Sequence, residues 1–519
     1  MAHVIIAGAG IAGIPSAYAI KNRLGPQDKV TVVSDKDYFH FVPSNPWVAM
    51  GWRDRNDIAF PIGPCLQDRG IDFLPKALQK VDGAKNQIEL ADGSKLAYDY
   101  LILATGPSPA FDEIEGLDPK KGIVHSVIHI EDATKAYTDY KEFVKNPGPI
   151  VIGAVQNSSI LGPIYEFAFL VDADLRRRNI RDRVPITIIT PEPYVGHLGL
   201  GVESETRRLL EQNLTDRNIT YLTNVKTQKI DPGVVHIAEC DDQGNETRTS
   251  EVPFAYSVYW AAFRGIPGLS DSPGLTDDRG FVQTDEYLRS VAYPNIFAVG
   301  VCGAHPDVAK TPLHVGAPES VYSIQNEVDA AVRNIAAAMH GGELTSPAPI
   351  RAKWLSDMGK SGASYHSEPQ IPLRNINWLK EGRWVHLAKV DFENYFINKI
   401  KLKPSTAGAP VSSHIATLVR KMQSHKTEGT QFPVAPRAVT RPLEVPIRKD
   451  LDYDLRAISK VLGQEEQAFA ATLLESALSD AKSLLGGALL DDVDKARHDL
   501  MVADLPENQP GVEFHGGGT

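Results

Sequence analysis

Short apolar runs punctuate the first 300 residues. Residues 4–7, 30–33, 101–104, 150–152 and 296–299 are built from Val, Ile, Leu, Phe and Ala, with Thr31 the one exception, and are bounded by Gly, Asp or Asn. Runs of this length without polar alternation predict strands buried on both faces, as in a parallel sheet covered by helices. Between them, residues 11–24 and 160–178 carry apolar positions at helical spacing. Strand and helix alternating in this way predict an α/β fold. Residues 186–189 and 219–222 continue a second α/β unit. Residues 234–238 and 248–252, joined by Asp241-Asp242-Gln243-Gly244, predict an inserted hairpin.

The pattern changes near Lys403. Pro404, Pro410, Pro433, Pro436, Pro442 and Pro446 read as a linker with one short helix around residues 414–423. Beyond it, Leu451, Leu455, Ile458 and Leu462 keep one helical face, and Phe469, Leu473, Ala477, Ala481 and Leu484 keep another, with Gly463 and Gly486-Gly487 as stops. This predicts a helical hairpin over 450–505, suited to a homo-oligomer or a protein partner. The expected division is residues 1–110 with 285–345, then 111–284, then 346–425, then a linker and acidic helical tail over 426–519. No run reaches the ~18 apolar residues of a spanning helix, and no basic, apolar leader opens the chain. The expected location is the cytoplasm, with peripheral contact on the inner face of the cell membrane left open.

Composition narrows the chemistry. The 519 residues exceed one compact core and call for three or four packing units. The net charge of −11 argues against a nucleic-acid binder, which needs a basic face. From Asp450 onward there are 14 acidic and five basic residues, a net of −9, which leaves −2 for residues 1–449. The acidity therefore belongs to the tail and suits a partner-facing surface. Only Cys65, Cys240 and Cys302 are present, far apart, which excludes a disulfide framework, a CxxC pair and a four-cysteine zinc site; no metal site is expected.

Three strand-then-glycine signals carry the candidate chemistry. Gly8-Ala9-Gly10-Ile11-Ala12-Gly13 follows a strand and opens a helix, the arrangement in which backbone approaches a pyrophosphate at a helix N-terminus. The second strand ends at Ser34-Asp35, where a carboxylate can take ribose hydroxyls. Leu103-Ala104-Thr105-Gly106 and Val299-Gly300 repeat the motif downstream. The corresponding turn of the second unit, Gly153-Ala154-Val155-Gln156-Asn157-Ser158, lacks the second and third glycines, so NAD(P)H is not the expected partner there.

Three such signals in this order resemble the two-dinucleotide-binding-domain flavoproteins, a resemblance that implies FAD at the N-terminal site. A narrower one lies in Phe41-Val42-Pro43-Ser44-Asn45-Pro46-Trp47-Val48-Ala49, Gly162-Pro163-Ile164-Tyr165-Glu166, Gly196-His197-Leu198-Gly199, Thr311-Pro312, Gly316-Ala317-Pro318, Pro369-Gln370-Ile371-Pro372 and Arg383-Trp384-Val385-His386-Leu387-Ala388-Lys389. Over about residues 1–425 the chain is similar to sulfide:quinone oxidoreductases. The resemblance implies two Rossmann-like domains, as in glutathione-reductase-like flavoproteins, with a C-terminal quinone and membrane-type module. It implies an FAD cradle of Gly8, Gly10, Ile11, Ala12, Gly13, Ser34, Asp35, Asn45, Ala77, Leu78, Ala104, Thr105, Gly106, Gly300, Val301, Gly316 and Ala317.

The chain departs from that family at its sulfur chemistry. The family's two redox cysteines and its assisting cysteine fall at Ile160, Trp354 and Ile128. Glu319-Ser320 stands where Lys-Thr is common, and a carboxylate there opposes an anionic reduced ring. The remaining candidates are His197 and Glu166, which match the family's active region, Glu319, and Cys302, which follows the third strand. Phe392, Tyr395 and Phe396 form an aromatic stripe that either frames a quinone or packs on the core. The favoured expectation is an FAD-dependent oxidoreductase that passes electrons to quinone or another carrier without cysteine-based sulfide chemistry. A non-catalytic FAD-fold subunit recruiting partners through the tail, and an NAD(P)H dehydrogenase, are the alternatives.

Overall fold

The computed structural model describes residues 2–200, 205–348, 350–359, 361–371 and 376–402. The chain divides into two units, Met1–Pro404 and Ser405–Thr519. The expected helix near 414–423, the linker and the helical tail lie outside the described residues.

The buried apolar runs form parallel strands as their composition predicts. His3–Ala7, Lys29–Val33, Asp72–Leu74, Tyr100–Leu103 and Ile296–Ala298 make one sheet, with His3–Ala7 at its centre between Tyr100–Leu103 and Lys29–Val33. The register aligns Ala7 with both Val33 and Leu103, and Leu103 with Ala298. All four strands therefore end at one level. Gly8, Ser34, Ala104 and Gly300 emerge together at the carboxyl edge, the position from which parallel sheets present ligand-binding turns.

A second parallel sheet joins Ile150–Ala154 to Ile186–Ile189, Ile219–Leu222 and Tyr256–Trp260. The expected hairpin is present as Val234–Cys240 and Glu246–Pro253, and gains a third strand, Val225–Asp231. Ile350–Asp357, Gly362–Ile371 and Ile376–Gly382 form an antiparallel sheet that leads into the helix Arg383–Lys401.

Two helices start later than periodicity predicts. The first spans Gly13–Lys21, because Gly10 to Ala12 are spent on the turn. The other spans Gly162–Arg177, with Pro163 in its first turn. Ile160 sits at φ 50°, a left-handed conformation unfavourable to a β-branched residue, so no helix can run through it. The aromatic stripe resolves on the same principle of burial. Phe396 is buried, its ring centroid 5.4 Å from that of Phe41 and 6.1 Å from that of Phe39, whereas Tyr395 is exposed. Phe392 is half-buried and meets Phe41 edge-on at 6.1 Å.

Candidate functional site

The turn after the first strand is built by close backbone approach. Gly8 has φ 117°, and a Cβ there would overlap the Ala104 carbonyl oxygen. A Cβ at Gly13 would overlap the Gly8 carbonyl oxygen. Both glycines are thus required by packing within the protein. Gly10 differs: an added Cβ meets nothing within 4 Å, so its surface is a cradle that a side chain would fill. Gly106, at φ 66°, is open in the same way. Gly300 packs against Ala12, and Gln325 Nε2 donates to the Ile11 carbonyl at 3.2 Å, which draws the third strand's turn and the following helix onto the first turn. Ser34 is buried and Asp35 exposed at the end of the second strand. Ala77 and Leu78 lie just past Asp72–Leu74. This donor set fits a dinucleotide: open glycine backbone for the pyrophosphate and an exposed carboxylate, met only by Ser34 Oγ at 3.5 Å among the described residues, for a ribose.

Other expected cradle residues come from further away. Gly316 N–H donates to the Ser158 carbonyl at 3.1 Å, and Asn157 N–H to the His314 carbonyl at 3.0 Å. Gly199, at φ 73°, leaves room for the Gly316 carbonyl. The loops around residues 158, 199 and 316 therefore converge. Asn45 is committed to holding protein together. Its Nδ2 donates to the carbonyls of Val127 and Ile128 at 2.8 and 3.1 Å, and its Oδ1 meets His40 Nε2 at 2.6 Å.

The elements next to two of the positions where the resemblance places redox cysteines pack together. The helix Gly162–Arg177, which follows Ile160, packs against the strand Ile350–Asp357, which carries Trp354. Gly162, Tyr165, Ser356 and Met358 line one small cavity between them. None of the three cysteines is here. Cys302 is fully buried among Ile5, Leu101 and Leu103, with Sγ directed at the Leu103 and Val299 carbonyls at 3.2 and 3.4 Å. Burial pushes its thiol up to about 11. Cys302 is a packing residue, contrary to its expected role, because a thiolate is disfavoured in this apolar wall.

Glu166 and Lys389 form a buried ion pair. Burial pushes the Glu166 carboxyl up and Lys389 pulls it back. Lys389 Nζ also lies 4.9 Å from the Trp47 ring centroid, and the Arg53 guanidinium 4.6 Å from it. Trp47 Nε1 donates to Asp357 Oδ2 at 2.9 Å, and His386 Nδ1 meets the same oxygen at 2.8 Å. Arg53 Nε donates to Glu393 Oε1 at 2.8 Å, and Ser44 Oγ donates to Glu393. Residues 44–53 are thereby locked to the helix Arg383–Lys401 by charge as well as by aromatic contact. Lys389, Asp357 and Glu393 are ionisable groups that local patterning does not single out; the internal Glu166 on an apolar helix was the one available signal that a distant cation was needed.

His197 is buried and Glu192 lies close by. His197 Nδ1 accepts from Gly199 N–H at 3.2 Å. Glu192 accepts from Tyr165 OH at 2.5 Å, Thr190 Oγ1 at 2.8 Å and Leu198 N–H at 2.7 Å. Burial nevertheless pushes its carboxyl up from 4.5 to about 7. The folded state then binds more protons than the unfolded state, so this group's penalty is absent below about 4.5 and complete above about 7. Glu192→Gln should therefore show a flatter decline in stability than the parent protein as pH rises through that window. Chemical denaturation at stepped pH checks this; parallel curves would show that Glu192 does not titrate there.

Glu319 is buried next to Glu327 and His305. Burial and the Glu327 carboxylate push its carboxyl well above the ordinary range. Glu327 Oε2 accepts from Gly300 N–H at 2.6 Å, which ties this pair directly to the turn after Ile296–Ala298. His305 and Glu327 carry no local motif that marks them in the sequence.

The turn of the second unit is filled by its own side chains. Gln156 Nε2 donates to the Thr227 carbonyl at 3.2 Å, and its Oε1 accepts from Thr227 N–H at 3.2 Å. A Cβ at Gly153 would overlap the Tyr259 ring. Glycine here serves a tyrosine of the neighbouring strand.

Comparison with known proteins places this geometry. Residues 2–323 match the pyridine nucleotide-disulphide oxidoreductase family. The sulfide-quinone reductase of Aquifex aeolicus is 35% identical over 402 residues, covering 77% of this chain and 91% of that protein. The X-ray structure of the sulfide:quinone oxidoreductase from the same bacterium superposes with a TM-score of 0.72 at 34% identity, over 78% of this chain and 93% of that one. A type II NADH:quinone oxidoreductase of Staphylococcus aureus is 22% identical over 361 residues, covering 65% of this chain and 83% of that protein. With its glycine cradle intact and its resemblance carried across both parallel sheets, the chain belongs to the sulfide:quinone oxidoreductase family and is an FAD-dependent oxidoreductase.

Proposed function

We propose that this enzyme delivers electrons through FAD to a quinone, and that its donor reduces the flavin without a cysteine carrier. The observation that carries this reading is the cavity between Gly162 and Ser356, at which no cysteine stands. Sulfide oxidation through enzyme-bound sulfur needs a thiolate as nucleophile. The chain's three cysteines lie elsewhere: Cys302 in the core, Cys65 half-buried on Gly63–Gln67, and Cys240 half-buried at the end of Val234–Cys240. Gly10 and Ala104–Gly106 would face the pyrophosphate, with Gly8, Gly13 and Gly300 shaping the turns around it and Asp35 toward the ribose. FAD supplies, when bound, the capacity to accept an electron pair from a donor and release it to an acceptor.

The chain's own groups have assignable tasks. Lys389 neutralises Glu166, so that an apolar acceptor is not asked to approach a bare buried carboxylate. His197 is the proton-handling candidate, since an imidazole exchanges protons near neutrality. For the acceptor, the chemistry favours an apolar molecule at the aromatic cluster of Phe39, Phe41, Phe392 and Phe396. Three of the four exposed large hydrophobics among the described residues, Val42, Tyr395 and Leu402, flank that cluster in sequence. No helix among the described residues is long and apolar enough to cross a membrane, so this edge would meet a membrane only at its surface.

NAD(P)H as donor is disfavoured by the Gln156–Thr227 bonds, which occupy the turn that would face a pyrophosphate. Anaerobic mixing of the flavin-loaded protein with sulfide, and separately with NADH, tests the donor assignment. Neither should bleach the visible flavin absorption rapidly. Fast bleaching by sulfide would overturn the loss of sulfide chemistry, and fast bleaching by NADH would move the enzyme to the NADH dehydrogenases.

A further inference from the structure

His305, Glu319 and Glu327 converge beside the Gly300 turn. Glu319 stands just ahead of the helix Val321–Met339, and Glu327 lies within it. Reciprocal bonds between Ser320 and Ser323 fix the start of that helix. His305 comes from the loop after Ile296–Ala298. Each carboxylate is anchored through one oxygen: Glu327 Oε2 accepts from Gly300 N–H at 2.6 Å, and Glu319 Oε2 accepts from Ser323 Oγ at 3.4 Å. Their other oxygens face the imidazole. His305 Nε2 lies 3.3 Å from Glu319 Oε1 and 3.8 Å from Glu327 Oε1.

Glu319 and Glu327 can bond one another only by sharing a proton. Glu319 Oε1 and His305 Nε2 are both buried without a hydrogen-bond partner, the 3.3 Å between them lacking hydrogen-bond alignment. The Glu319 side chain is only 2% exposed. Stranded buried acceptors are costly, and two carboxylates facing each other away from water repel. One donor atom from each of the three residues falls within 4.8 Å of the other two. Nitrogen and oxygen ligands about 2.0–2.2 Å from a tetrahedral ion are separated by roughly 3.3–3.6 Å, close to the two histidine distances. The Gly300 N–H and the Ser323 hydroxyl act as outer partners that orient the carboxylates. His305, 16% exposed, leaves a route of entry.

We propose that His305, Glu319 and Glu327 bind one divalent transition cation. One imidazole and two carboxylates suit Zn²⁺ or Mn²⁺ rather than soft Cu(I), which prefers sulfur ligands. The cation would sit between the two buried carboxyl groups beside Gly300 and hold that turn to the helix that follows it.

The test uses the full-length, flavin-loaded protein, stripped with a chelator and titrated with Mn²⁺ while the free-ion EPR signal is followed. One equivalent should be taken up per chain and displaced by Zn²⁺. His305→Ala and Glu319→Gln should each weaken uptake by at least roughly tenfold. Mn²⁺ should raise the unfolding temperature of the parent protein and of neither variant. Retained flavin in the variants certifies their fold; if Glu319→Gln loses flavin, His305→Ala on the loop decides the matter alone. Absence of stoichiometric uptake, as expected if the two carboxyls merely share a proton, overturns the proposal. So does equal uptake by the parent protein and His305→Ala.

Discussion

Lys389→Met should destabilise the protein by about 3–5 kcal/mol, the usual consequence of stranding one partner of a buried ion pair. Glu166 and Lys389 are each only 7% exposed, so water cannot take over the lost contact. The same substitution removes the cation from the Trp47 ring. The loss should shrink as pH falls, because a proton can then do the work of the lysine on a carboxyl already pushed upward by burial. Adding Glu166→Gln to Lys389→Met should recover most of the stability, since the amide keeps an acceptor while removing the charge. Denaturant unfolding of the parent, the single and the double variant measures all three. A loss that persists undiminished in the double variant would show that packing, not charge, dominates this site.

Gly10→Val should yield a folded protein that purifies without visible flavin absorption. The prediction rests on a contrast inside one turn. At Gly8 and Gly13 a side chain would run into backbone of the protein itself, so substitution there damages the fold. At Gly10 an added Cβ meets nothing of the protein within 4 Å, and the side chain would grow into the surface that backbone must offer to a pyrophosphate. Circular dichroism should be unchanged while bound flavin is lost. Full flavin occupancy in Gly10→Val would contradict the cradle as assigned.

The parts of the molecule that were legible in the sequence are those encoded locally. Most buried strands of the two parallel sheets advertised themselves by short apolar runs, whereas Tyr256–Trp260, interrupted by Ser257, did not; the glycine turns followed because a parallel sheet delivers them at fixed offsets. The helix starts were misjudged where a turn consumed apolar residues, at Gly10 to Ala12 and at Ile160. The interior charges were not legible, because their partners are remote. Glu166 and Lys389 are 223 positions apart, and Trp47 and Asp357 are 310 apart. No periodicity encodes such pairs. Cys302 illustrates the reverse error: proximity in sequence to a cofactor turn suggested chemistry, yet its side chain faces the sheet interior.

The packing of the helix after Ile160 on the strand that carries Trp354 is why the absence of cysteines matters to the proposed function. Had those positions lain far apart, their identities would bear little on electron transfer. Because the helix after one packs on the strand carrying the other, both positions belong to one region of the fold, and neither holds a thiol. The central claim is that electrons reach quinone through the flavin with no thiol involved. The most direct measurement reduces the flavin of a Cys65→Ala, Cys240→Ala, Cys302→Ala variant anaerobically and follows its visible absorption after mixing with a soluble quinone. The account predicts that the oxidised spectrum returns as fast as in the parent protein; a reduced flavin that persists in the variant while the parent reoxidises, or that persists in both, would contradict it.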